Sequence, residues 1–202
     1  FIVTTVEDGS VNDVGTFRWA VNQANDNIGV LDTIEFDQAL EEFADSLRVI
    51  EIKVTSAPLV IKSELIIQGF TTLGTGPMME DEAFFISVRV DPDLETFFEV
   101  QENITLVNAT LQANSIVFNG GTPDGEQDRD LIYEIDNFRT DITWRILDQS
   151  TEVPKDGNGR LIKRGTGELG LFPDATSYTG GTVLENGVIR TDAAGLGGDI
   201  QI

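Results

Sequence analysis

The chain has 202 residues, 40% of them hydrophobic, enough apolar material for a continuous core and against a disordered chain. Asp and Glu number 35 against 13 Lys and Arg, and the net charge of −22 sets the surface against nucleic acid and anionic membranes, either as a functional acidic face or as a well-solvated one. Neither Cys nor His occurs, which excludes disulfides, thiolate metal sites, cysteine nucleophiles and the histidine base of common hydrolases; carboxylate chemistry stays open.

Phe1, Ile2, Val3, Thr4, Thr5 and Val6 open the chain as an apolar, β-prone strand, the form expected of an exported protein after loss of its leader. Phe17, Ala20, Val21 and Ala24 then recur at helical spacing behind Thr16, a good N-cap. This predicts a helix over Phe17 to Ala24, stopped by Asn25-Asp26-Asn27, with Arg18, Asn22 and Gln23 facing solvent. Gln38 to Leu47 carries a second apolar stripe, Leu40, Phe43 and Leu47, for a further helical turn or a long loop.

Nearly everything beyond reads as short strands separated by Gly, Asn, Asp and Pro. They are expected at Thr33 to Phe36, Val49 to Val54, Leu59 to Ile61, Leu65 to Gln68, Phe85 to Val90, Phe97 to Val100, Ile104 to Val107 and Ser115 to Phe118. More follow at Leu131 to Ile135, Ile142 to Leu147, Leu161 to Lys163, Leu169 to Phe172, Thr182 to Leu184, Val188 to Arg190 and Asp199 to Ile202. Ile50-Glu51-Ile52-Lys53-Val54 alternates, so one face is buried and the other wet. Sandwich, barrel and solenoid all accept such strands; turns of very uneven length favour the solenoid, whose coils mainly contact their neighbours. No apolar run approaches the roughly 20 residues of a membrane helix, so no membrane insertion is expected.

Two segments carry resemblances. Val3-Thr4-Thr5, Gly15-Thr16-Phe17-Arg18-Trp19-Ala20-Val21, Ala24-Asn25, Asp32-Thr33-Ile34-Glu35-Phe36-Asp37, Pro58-Leu59 and Leu65-Ile66-Ile67-Gln68-Gly69 stand in order over residues 1–69. This resembles the CSLREA-like amino-terminal segment of bacterial surface β-helix proteins, with Phe17 and Trp19 where that motif has Leu and an acidic or amide residue. The resemblance implies that a short strand and an amphipathic helix plug the first coil. Over residues 161–202, Leu161 to Leu171, Ser177-Tyr178-Thr179-Gly180-Gly181-Thr182, Glu185-Asn186-Gly187-Val188-Ile189 and Ala193 to Gly198 are similar to the autotransporter passenger-associated repeat, a β-helix coil module. Gly180-Gly181 and Asn186-Gly187 suit positive φ at tight corners.

The two resemblances imply an all-β fold, a right-handed parallel β-helix (β-solenoid) with a short N-terminal capping helix. One domain spans 1–202: a strand-and-helix cap over 1–32, irregular coils over 33–160 and passenger-repeat-like coils over 161–202.

Chemistry is sparse. Asp124, Glu126, Asp128 and Asp130 alternate in an acidic loop, which reads as a calcium site or as a solvated loop; calcium is the one cofactor considered. Asn103-Ile104-Thr105 and Asn108-Ala109-Thr110 match the glycosylation acceptor pattern, or form an asparagine or threonine ladder along the coils. Trp19, Tyr133, Trp144 and Tyr178 are few aromatics for sugar stacking, so no catalytic residue is assigned and a polysaccharide lyase or glycosidase is the minor reading.

The expected function is a non-catalytic structural protein, secreted or on a bacterial surface, that associates with itself. Phe1 to Val6 is the expected donor strand, and the sheet edge at Ile200 and Ile202 the expected receiver. The alternative is an adhesin or passenger fragment, the first coils of a longer stalk contacting host or surface glycans.

Overall fold

The computed structural model describes residues 1–46, 48–56, 59–70, 85–90, 97–113, 115–118, 129–136, 139–142, 145–148, 159–172, 178, 180–191 and 200–201. Strand β1 (Ile2–Val3) and helix α1 (Phe17–Asn25) come first. Three circuits of three strands follow: β2 (Asp32–Phe36), β3 (Val49–Val54) and β4 (Leu59–Ile61); β5 (Leu65–Gln68), β6 (Phe85–Val90) and β7 (Phe97–Val100); β8 (Ile104–Val107), β9 (Ala109–Gln112) and β10 (Ser115–Phe118). A fourth circuit holds β11 (Arg129–Glu134), β12 (Arg139–Ile142) and β13 (Arg145–Asp148). Then come β14 (Gly159–Arg164) and β15 (Glu168–Leu171), β16 (Thr182–Leu184) and β17 (Val188–Thr191), and β18 (Ile200–Gln201).

The strands sort by their place in the circuit. The first of each forms one eight-stranded sheet, in the order β1-β2-β5-β8-β11-β14-β16-β18. The second forms two three-stranded sheets, β3-β6-β9 and β12-β15-β17, and the third a four-stranded sheet, β4-β7-β10-β13. Every pairing among the described residues is parallel. The chain is therefore mostly β and built on parallel sheets, and it returns to the eight-stranded sheet once per circuit. Circuits differ in length: Leu65 to its partner Ile104 is more than twice the span from Thr182 to Ile200.

In-register pairing stacks like on like. Ile34, Ile67, Leu106 and Tyr133 form one buried column of the large sheet, and Leu65, Ile104, Leu131 and Leu161 another. Ile50 and Ile52 align with Ile86 and Val88, then with Ala109 and Leu111, while Phe98, Ile116 and Ile146 stack in the four-stranded sheet. All of these are fully buried, so each circuit supplies one layer of a continuous core. Fully burying each such aliphatic side chain contributes roughly 1.5–3 kcal/mol, against the entropy of ordering the chain.

Most strand expectations agree with these elements, though the strand expected over Phe1 to Val6 narrows to Ile2–Val3; three further elements differ. The run expected from Ile142 to Leu147 is two strands, β12 and β13, in different sheets. Strand β9 has no counterpart among the expected strands, because one residue, Asn108, makes the corner from β8 at φ 45°. Asn tolerates that left-handed geometry, so no Gly or Pro cluster marks the break. The second helical stretch is a 3₁₀ helix, Gln38–Phe43, that buries Leu40 and leaves Phe43 half exposed; Leu47 lies outside the described residues. Among the described residues no helix is long and apolar enough to cross a membrane.

Candidate functional site: a closed edge and a cationic corner

The amino-terminal segment covers the first circuit at three places. Thr16 caps α1, its hydroxyl accepting from the Trp19 amide at 3.1 Å, and Phe17, Ala20, Val21 and Ala24 are buried over the core. Strand β1 lies on β2: the Glu35 and Asp37 amides donate to the Phe1 and Val3 carbonyls, each at 2.8 Å, and the terminal ammonium reaches the Thr33 carbonyl. The Lys53 amide of β3 donates to the Val6 carbonyl. On β4, the Asn25 carboxamide acts as a surrogate strand, donating to the Val60 carbonyl and accepting from the Lys62 amide, each at 2.7 Å. Ser63 Oγ ties the same strand end to the Ala24 carbonyl. Each exposed edge of parallel backbone thus finds a partner from the cap.

Phe1, Ile2, Val3, Thr4, Thr5 and Val6 are therefore occupied within their own chain. Thr4 donates its amide to Gly15, Thr5 Oγ1 accepts from Glu7, Val3 is buried, and the Phe1 ring meets Trp19 edge-on at 6.0 Å. Donation of this strand to a second copy requires all of these bonds to break first.

Arg18 departs from its expected place on the wet face of α1. Asp8 pairs with it through Nε and Nη2, both at 3.1 Å, and Arg18 also donates to the Ser56 carbonyl. The two side chains are 9% and 3% exposed. Asp8 further accepts from the Thr55 and Ser56 amides at the end of β3. Burial pushes its carboxyl up, but the Arg18 hydrogen bond, the Thr55 amide and the Arg18 charge together hold it below its ordinary value.

The second polar locus is the corner between the large sheet and β15. Lys163 follows Tyr133 in the buried column and is itself fully buried. Its ammonium turns into the corner and donates to the carbonyls of Gly165, at 2.8 Å, of Arg164, and of Ile135 in the circuit before. Burial lowers its pKa, with Asp136 and Glu134 opposing. Gly187, at φ 84°, closes the cage: a Cβ there would collide with the Gly165 and Gly167 carbonyls and crowd Lys163 Nζ. The positive φ expected near Gly180-Gly181 falls at Gly181. Replacing Lys163 with Met is expected to cost about 1–3 kcal/mol in urea unfolding. Ile135 and Arg164 keep backbone donors on their carbonyls, from Gly167 and Ile135, while the Gly165 carbonyl loses the lysine.

Side chains also link circuits outside the core. The Asn103 and Asn108 carboxamides accept from the Asp130 and Asp136 amides one circuit on, and Asp136 in turn accepts from the Thr166 amide. The expected ladder thus takes a mixed Asn, Asp and Thr form. Arg160 clasps Asp130 with two bonds of 2.8 Å, Arg164 pairs with Glu185, and Arg139 and Arg190 share Glu168.

Of the calcium candidates, Asp124, Glu126 and Asp128 lie outside the described residues. Asp130 gives both carboxylate oxygens to Arg160, and among the described residues no group of three or more acidic side chains converges. Tyr133 and Tyr178 are buried, the latter sharing a 2.6 Å hydrogen bond with Thr182, so neither offers a face for a sugar. Trp19 packs in the cap and Trp144 lies outside the described residues. Ile200 pairs with Thr182 in the large sheet, and Ile202 is outside the described residues.

These features define a mostly-β protein built on parallel sheets, tied from strand to strand by buried columns and side-chain ladders. Comparison with known protein families, curated proteins and solved structures gives no match.

Proposed function

We propose that this chain is a right-handed parallel β-helix that serves as a non-catalytic structural module outside the cell or on a bacterial surface. The observation that carries the reading is the closure of β2, β3 and β4 by Val3, Val6 and Asn25 within the chain. A stack closed at one end extends only in the other direction. Its core columns and ladders repeat from circuit to circuit, as a rod requires.

In this reading the large sheet is continued beyond β18 by a further parallel strand. A second copy of the chain makes a filament or matrix; more coils of the same polypeptide make an adhesin or passenger stalk. Because β1 is engaged at home, edge-to-edge pairing is favoured over strand donation. Light scattering and electron microscopy of purified protein, with and without calcium, test the first form. End-to-end particles are expected, and a strictly monomeric solution at high concentration overturns self-association. A reading frame running past Ile202 into glycine-rich repeats favours the stalk.

A further inference from the structure

The corner formed by Asn186 and Gly187 differs from the earlier corners at Asn108 and Asp136. Asn108 and Asp136 each reach forward to an amide of the next circuit. Asn186 instead folds back, and its Oδ1 accepts from the amide of its own successor, Gly187, at 2.8 Å. Its carboxamide carbon therefore lies one bond from an atom in contact with that nitrogen. The carboxamide is exposed to water, and no side chain on residue 187 shields it. Nor does the corner tolerate one, since a Cβ at 187 would strike the Gly165 and Gly167 carbonyls.

We propose that Asn186 is a self-modifying site at which the corner rewrites its own backbone. The Gly187 amide nitrogen, on losing its proton, attacks Asn186 Cγ and forms a five-membered imide. The carboxamide nitrogen leaves as ammonia, carrying the proton. Water then adds to one of the two imide carbonyls and opens the ring to aspartate or to isoaspartate, with no change of oxidation state. The isoaspartyl product places an extra methylene in the backbone between two rungs, Glu185 amide to Lys163 carbonyl at 3.0 Å and Val188 amide to Gly167 carbonyl at 3.2 Å. It also adds a negative charge beside Glu185, whose one described ion pair is with Arg164. The reaction thus loosens β17 while leaving the amino-terminal cap untouched.

Peptide mapping by mass spectrometry tests this directly, because the tryptic segment from Gly165 to Arg190 holds Asn186 as its one carboxamide side chain. On incubation of the folded protein, the parent segment is expected to be replaced by two separable products, each one dalton heavier. The rate should rise with pH because the amide must lose a proton. Hydrogen-exchange protection of the Val188 amide should fall in the converted protein. In Asn186→Ser, which has no carbonyl to attack, the segment keeps its mass. A segment that converts only in the urea-unfolded chain, or in neither state, overturns the proposal.

Discussion

Replacing Asp8 with Ala is expected to destabilise the protein by about 3–5 kcal/mol, because it removes the carboxylate that pairs with the buried Arg18 guanidinium. Arg18 keeps its bond to the Ser56 carbonyl, but two charge-assisted bonds vanish, and the Thr55 and Ser56 amides lose their acceptor. Urea unfolding at neutral pH measures the loss. Asp8→Ala combined with Arg18→Met should be milder than Asp8→Ala alone, since the pair is then removed together. The same carboxylate makes stability depend on pH. Its folded pKa is depressed, the Arg18 and Thr55 contacts outweighing burial. Its contribution is therefore complete above the unfolded Asp value and is lost as pH falls through the folded one. Asp8→Asn should flatten that part of the acid limb; an acid limb identical to that of the parent overturns the assignment.

Replacing Val21 with Asp is expected to lower the melting temperature by about 10 °C or more, the equivalent of several kcal/mol for a domain of this size. Val21 lies in the middle of α1 and is fully buried beside Phe17, Ala20 and Ala24. Phe17, Ala20 and Ala24 share this apolar face, so the new carboxyl is either charged in an apolar surround or protonated at a cost. Asn22, one residue on, is only partly buried, and Asn22→Asp should change stability by no more than about 0.5 kcal/mol. An unchanged melting temperature in Val21→Asp would remove the helix from the stabilising cap.

Local pattern by itself determined much of this protein. The spacing of Phe17, Ala20, Val21 and Ala24 located α1, and Thr16 its start, because helix geometry depends on neighbours three and four residues apart. The alternation from Ile50 to Val54 gave the buried and wet faces of β3 for the same reason, at period two. The Asn186-Gly187 pair gave a positive-φ corner, since a missing Cβ is a property of the residue and not of its surroundings. Tertiary structure alone decided what depends on register. Arg18 sits on a helical face that reads as wet, yet meets Asp8 and the end of β3 and is buried. Asn25 reads as a helix stop, yet closes the edge of β4. Lys163 reads as a strand lysine, yet parallel pairing aligns it with Tyr133 and turns its ammonium onto carbonyls of two circuits. Each of these partners is set by how many residues one circuit consumes, and circuits of unequal length leave no period from which the sequence can foretell it.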